Sequence, residues 1–374
     1  MRARVAFLVT HLSGTGHFVR IATLARAVAA AGATVRVISG GRALPHVGTG
    51  DLDVVALPAL QVAGRDFANP LDAEGRPADA AYLAARAGAA AAATAAFAPD
   101  LLVTETFPLG RRRLAGEFEA AIDAARAARP GARIAASLRD LPEPPSKPKR
   151  LAEAVARLGA YDLAIVHGDA GFLPLDHAWP LPPPAAALVR HAGYVAAPPP
   201  LPVPSDEVLV GVGGGDLGRA LLAVAAAAAA RSRHPWRLRT GGPDAAALAA
   251  RLAAAHGGGL IAEPPAPDWR ARLAGARAAV TLAGYNTVTD LAACDTPAVL
   301  VADTTGGERE QAMRAAALAG RPGFDVLDSV PDPDRLARLV DGLAAGPRRP
   351  PLPIRLDGAA RAAALILDLA RSAP

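Results

Sequence analysis

The chain has one cysteine, Cys294, and only two lysines, Lys147 and Lys149, in 374 residues. A single thiol cannot close an internal disulfide, so a cross-linked secreted scaffold is excluded and a reducing compartment suits the chain. Aromatic residues make up 4% of the sequence, and alanine carries much of its 52% hydrophobic content. Large cores are within reach, built from small side chains with a preference for helix. No apolar run reaches the ~20 residues of a membrane-spanning helix. The nearest, Ala220–Ala230, reads as a buried amphipathic helix. The apolar run at the N-terminus soon gives way to polar residues without a small-residue cleavage site. That argues against a secretory signal and for a cytoplasmic protein.

Metal-binding spacings are missing too. The chain has no H-E-x-x-H and no paired Cys/His pattern, so no metal is expected. "DLD" (51–53) and "DPD" (332–334) match D-x-D, but the second sits in a proline-bracketed turn before a helix and reads as a cap. The net charge is +5, supplied by scattered arginines as a GC-rich coding bias would leave them. Without a basic stripe, nucleic-acid binding is not expected. "RRR" (111–113) and "KPKR" (147–150) read as solvated loops, with contact to an anionic lipid or a phosphorylated acceptor as the alternative.

What is present is a strand–helix alternation that runs twice. Strands are expected at 4–10, 34–41, 53–58, 100–106, 132–140 and 161–169, with helices over 19–32 and 79–97. Residues 174–205 are dense in proline and read as a connector with one short strand near "HAGYV". The alternation restarts at "EVLVGVGG" (207–214) and continues to a helix over 308–320. Apolar strands alternating with helices predict parallel sheets covered on both faces. The fold class is α/β: an N-terminal domain over 1–195, a C-terminal domain over 205–350, and a final helix within 355–374 packing back toward the first domain. Ligands in such sheets bind beyond the carboxyl ends of the strands, so a central cleft between the domains is the expected site.

Three motifs sit at such strand ends. "THLSGTGHFVR" (10–20) follows the first strand and offers Ser13, Gly14, Thr15, Gly16, His17 and Arg20. His17, near the start of a helix expected from about Phe18, suits a general base, and Arg20 a phosphate partner. His11 reads as structural. "VGVGGGDLG" spaces Gly213, Gly215 and Gly218 as G-x-G-x-x-G, a turn suited to a diphosphate. No acid follows about 20 residues on, which argues against a dinucleotide. In "AGYNTVTDL", Asn286 is expected to cap a helix beginning at Thr287, and Asp290 lies one turn in, where a carboxylate can accept two bonds from a vicinal diol. Glu310 and Gln311 open a further helix and suit sugar hydroxyls. Glu105, Arg139 and Asp140, at strand ends of the first domain, line an acceptor cleft or form a structural ion pair.

The stretches "SGTGHFVRIATLARAVAAAG", "FAPDLLVTETFPLGRRRL", "SLRDL", "HAGYV", "AGYNTVTDL" and "EREQAMRA" together resemble family-28-type glycosyltransferases of the GT-B fold. The resemblance implies two Rossmann-like domains and no cofactor besides a nucleotide-sugar co-substrate, most simply a UDP-sugar. It implies a donor site of Gly213, Gly214 and Gly215 at the diphosphate and Glu263 and Pro264 at the base. Gly284, Tyr285, Asn286 and Thr287 would line the donor site, with Asp290 at the ribose and Glu310 and Gln311 at the sugar. The first domain would bind an unknown acceptor, with Ser13–His17, Arg20, Glu105, Arg139 and Asp140 on that side and His17 as base, and peripheral membrane contact is compatible with this. Relatives often have Glu at the position of Asp290 and Asp at that of Glu105. A hydrolase or epimerase acting on nucleotide sugars, or a non-catalytic nucleotide-sugar-binding protein, would carry the same motifs.

Overall fold

The structure, a computed structural model, describes the chain except residues 1, 13, 45–46, 65, 213–216, 243, 257–259, 303–308 and 373–374. It divides into two compact units, residues 1–195 with 357–374, and residues 196–356. Among the described residues no helix is long and apolar enough to cross a membrane.

The first unit is built on strands β1 (Arg4–Val9), β2 (Thr34–Gly41), β3 (Asp53–Leu60), β4 (Leu101–Glu105), β5 (Arg133–Arg139), β6 (Leu163–His167) and β7 (Val189–His191). All pair in parallel, in the order β3-β2-β1-β4-β5-β6-β7. Val5 to Val9 are fully buried without alternation, as a parallel strand covered on both faces requires. The helices are α1 (Gly16–Ala30), α2 (Ala80–Phe97), α3 (Ala115–Ala128), α4 (Pro148–Leu158) and the single turn α5 (Pro183–Ala186). Asp79 caps α2 by accepting from the Tyr82 amide.

An ion pair is sealed inside this unit. Arg86 of α2 donates to Glu117 of α3 at 2.6 Å, and both side chains are buried. Thr10 Oγ1, just past β1, donates to the other Glu117 oxygen at 2.5 Å, and Arg86 donates to the Gly40 carbonyl at 3.0 Å. Gly40 is glycine for lack of room: a Cβ there would overlap Thr10 and Arg86. The network ties the carboxyl ends of β1 and β2 to two helices, and so anchors the loop that opens at Thr10.

The proline-rich stretch departs from expectation. Its first part folds into the first unit, because Leu175, Trp179 and Ala185 bury and the Trp179 indole donates to the Pro142 carbonyl at 3.1 Å. Proline here sits at turns and at the start of α5, where no backbone donor is needed.

The second unit repeats the plan. Its strands are β8 (Val208–Gly211), β9 (Trp236–Arg239), β10 (Leu260–Glu263), β11 (Ala278–Leu282), β12 (Ala298–Val301) and β13 (Phe324–Leu327). They are parallel and ordered β10-β9-β8-β11-β12-β13. Helices α6 (Leu217–Ala229), α7 (Ala245–His256), α8 (Trp269–Gly275), α9 (Tyr285–Ala292), α10 (Glu310–Leu318) and α11 (Pro333–Ala345) connect them. Strand β13 was not expected from the sequence, because Asp325 breaks its apolar run and only Phe324 and Leu327 are buried. Asp332 of "DPD" caps α11, accepting from the Arg335 amide at 2.9 Å, with Pro333 opening the helix. At Gly218 a Cβ would lie 2.5 Å from Val212 Cγ2, so the third glycine of the motif permits close helix–strand packing.

The last helix, α12 (Gly358–Arg371), belongs to the first unit. Ala362, Ala363, Ile366, Leu367 and Ala370 form its buried face and join the core of β1 and α1. Burying Ile366 and Leu367 is worth about 1.5–3 kcal/mol each.

Candidate functional site

In each sheet the strand order reverses once, between β1 and β4 and between β8 and β11. The crevice beyond the carboxyl ends at such a reversal is where open α/β sheets bind ligands. The motifs read from sequence follow these four strands.

In the first unit the loop after β1 passes Gly14, in left-handed backbone at φ +64°, and Thr15, which caps α1 without a side-chain bond. The helix begins at Gly16, two residues before the expected start, which places His17 inside the first turn. Thr15 makes this possible by accepting the Val19 amide at 3.0 Å. Ser13 lies outside the described residues.

Glu105 ends β4 and is fully buried. One of its oxygens, Oε1, receives three donors: Arg20 Nη2 at 2.5 Å, His17 Nδ1 at 2.7 Å and Thr106 Oγ1 at 2.7 Å. Thr106 makes this bond from left-handed backbone, φ +64°, an unusual conformation for a β-branched residue. Burial pushes the Glu105 carboxyl up, but His17, Arg20 and Arg111 outweigh it and hold the group below the usual carboxylate range. An ionised carboxylate only accepts hydrogen bonds, so Nδ1 of His17 carries the proton and Nε2 of the neutral ring keeps its lone pair. Burial lowers the His17 pKa to about 4; Glu105 opposes this, and Arg111 and Arg20 add to it. About a fifth of the His17 side chain is exposed. It is a neutral imidazole, braced by a charge on one side and open to solvent on the other.

Within electrostatic range of Glu105 and Arg20 stands a histidine that sequence reading passed over. His167, ending β6, is buried with Nε2 2.7 Å from Ser137 Oγ, and burial lowers its pKa to about 3. Its signal was positional: "AIVHGD" ends a buried strand, as Glu105 and Arg139 do. "RRR" divides, with Arg111 partly buried and Arg112 and Arg113 exposed. Arg139 is half-buried, whereas Asp140 is fully buried and accepts from the Tyr194 hydroxyl at 3.2 Å. His11 is buried, with Nε2 3.0 Å from the Arg42 carbonyl.

Two neutral buried histidines make stability depend on pH. The folded pKa values of His17 and His167, about 4 and about 3, lie below the unfolded value near 6.5. Protons therefore bind the unfolded chain first on acidification, and stability is lost as pH falls below 6.5. The expected slope is about 1.4 kcal/mol per pH unit for each histidine, read from urea midpoints between pH 7 and pH 5. A His167→Gln chain should show a shallower slope; an unchanged slope would contradict the assignment.

In the second unit, Gly213, Gly214 and Gly215 lie outside the described residues. Glu263 ends β10 and accepts from Arg237 Nη1 at 2.8 Å, with exposed Pro264 beyond it. The expectation for Asn286 is corrected. Helix α9 starts at Tyr285, with Gly284 in extended backbone as its N-cap and accepting the Val288 amide at 3.0 Å. Asn286 is therefore an exposed residue of the first turn beside half-buried Thr287, and a capping residue needs the non-helical backbone that Gly284 has. Asp290 accepts from Arg270 Nε at 2.7 Å, and Arg270 also donates to the carbonyls of Ala197 and Pro198. Burial raises the Asp290 pKa, against the pull of Arg270 and Arg239. Glu310 is buried beside Arg314 at 3.3 Å, and Gln311 Oε1 is buried with no hydrogen-bond partner among the described residues. The described residues contain no cluster of His, Cys, Asp and Glu able to hold a metal.

No protein-family model matches the chain. Two curated relatives are both named UDP-N-acetylglucosamine–N-acetylmuramyl-(pentapeptide) pyrophosphoryl-undecaprenol N-acetylglucosamine transferase. The one from Mesorhizobium japonicum is 36% identical over 97 residues, 26% of each chain. The one from a Methylobacterium species is 33% identical over 210 residues, 50% of this chain and 54% of the relative. The match thus spans about half of the second relative and less of the first. Among solved structures, the kitacinnamycin glycotransferase superposes with a TM-score of 0.63 at 17% identity, covering 100% of both chains. MurG of Acinetobacter baumannii gives 0.61 at 15% identity, covering 98% of this chain and 99% of that one. The chain therefore has the GT-B fold of two parallel-sheet Rossmann-like domains, and over up to half its length it resembles these N-acetylglucosamine transferases in sequence.

Proposed function

We propose that the chain is a glycosyltransferase that moves a sugar from a nucleotide sugar to a hydroxyl of an acceptor, inverting the anomeric centre and using no metal. The observation that carries the reading is the His17–Glu105 pair at the strand-order reversal of the first sheet. The acceptor hydroxyl gives its proton to His17 Nε2 as its oxygen bonds to the anomeric carbon. The bond from that carbon to the diphosphate breaks, and the nucleoside diphosphate leaves with the electron pair. Glu105 steadies the imidazolium that forms and fixes the ring's tautomer. Arg20 and Thr106 hold the Glu105 carboxylate in place.

The donor is assigned to the second unit, with Asp290 at the ribose and the glycine turn at the diphosphate. The names of the curated relatives make UDP-N-acetylglucosamine the first donor to try. Calorimetric titration of the full chain with UDP is the direct check. Asp290→Ala is expected to weaken UDP binding roughly 10- to 100-fold, the worth of a charged hydrogen-bonding group. Absence of binding by UDP and other nucleoside diphosphates would end the donor assignment. Release of UDP only when a hydroxyl acceptor is present separates transfer from hydrolysis.

A further inference from the structure

Residues 106–111 follow β4 and hold two non-glycine residues in left-handed backbone, Thr106 and Arg111. Strain of this kind persists where the surroundings over-determine it, and it gathers at ligand sites. Thr106 spends its conformation on Glu105. The Arg111 backbone opens the turn over Arg112–Leu114, its carbonyl accepting the Leu114 amide at 2.8 Å, but its side chain gains nothing: Nε is buried, and among the described residues the guanidinium makes no hydrogen bond or ion pair. It lies within electrostatic range of Glu105 and His17 and of two further guanidiniums, those of Arg20 and Arg139. Burial pulls its pKa down, Glu105 opposes that, and Arg139 and Arg20 add to it. A structural arginine in the same unit looks different: Arg86, fully buried, is matched to Glu117 at 2.6 Å.

We infer that Arg111 anchors an oxyanion site in the first unit, which binds a phosphoryl or carboxylate group of the acceptor. The inference rests on the transferase reading for the word acceptor, but not for the site itself. A planar guanidinium with unused donors fits either oxyanion through paired N–H bonds. An anion there also offsets the positive charge that disfavours protonation of His17. Acceptor binding then makes the imidazole a better base at the moment it is needed.

The test is calorimetric titration of the full chain with inorganic phosphate and, separately, acetate, repeated with Arg111→Gln and Arg111→Lys. The unmodified chain is expected to bind at least one of the two anions, and the stronger identifies the acceptor's group. Arg111→Gln should weaken that binding roughly tenfold or more, and Arg111→Lys, which keeps the charge but loses the fork, by less. Thermal unfolding without added anion should leave Arg111→Gln at least as stable as the unmodified chain, because burial, Arg139 and Arg20 disfavour the lost charge more than Glu105 favours it. Equal anion binding in Arg111→Gln, or none by the unmodified chain, overturns the site. A parallel loss of UDP affinity in Arg111→Gln overturns the acceptor assignment, since the anion would then be the donor's. Failure of the unmodified chain to bind UDP counts against the donor reading alone, and the anion titrations still decide Arg111.

Discussion

Replacing His17 by alanine is expected to lower kcat for sugar transfer roughly 100- to 10,000-fold, the usual contribution of a positioned general base. UDP affinity should stay as it was, because the loss belongs to the proton transfer. Glu105→Gln should fall between the two. Its amide oxygen can still accept from Nδ1, but it brings no charge to steady the imidazolium, and the substitution is gentler on the fold than alanine beside Arg20. The base works only when neutral, so kcat/KM in the unmodified enzyme should rise through about pH 4 and stay flat across neutrality. In Glu105→Gln that acid limb should move lower, since the carboxylate is what raises the His17 pKa against burial. Transfer at full rate by His17→Ala would remove the histidine from the mechanism and leave it only the ordering of the loop before α1.

The second large effect concerns stability. Either Arg86→Ala or Glu117→Ala should cost about 3–5 kcal/mol in urea unfolding, because each leaves a buried charge without its partner. The double replacement Arg86→Met with Glu117→Leu should cost much less than the sum, since no charge is then stranded. If the single and double replacements prove equally mild, the pair is not sealed as described. The expected damage extends to the site, because Glu117 holds Thr10 and Arg86 holds Gly40 at the mouth of the loop leading to His17.

Much of the fold was legible because parallel sheets write a strong pattern. The runs Val5–Val9 and Leu101–Val103 are apolar throughout, and a motif follows each of these strands. Failures came where tertiary contacts outvote local composition. Proline between 174 and 195 suggested a connector, yet Trp179 and Leu175 bury and pull the segment into the first unit. Asn286 has the chemistry of a cap, yet Gly284 supplies the backbone conformation that a cap requires.

The candidate site divides the same way. From sequence alone, His17 stood out in a glycine-rich turn and Glu105 at a strand end, but their 88-residue separation concealed that they touch. Charge of one sign in "RRR" could not say that one arginine turns inward and two outward. Local sequence determined the elements, their alternation and the residue types at the strand ends, because hydrophobic period and turn chemistry act over a few residues. Only tertiary structure decided the rest: which strand ends lie side by side, which carboxylate braces the histidine, and which arginine of "RRR" turns inward without a hydrogen-bond partner among the described residues. Those outcomes depend on strand order and burial, which contacts between distant parts of the chain create.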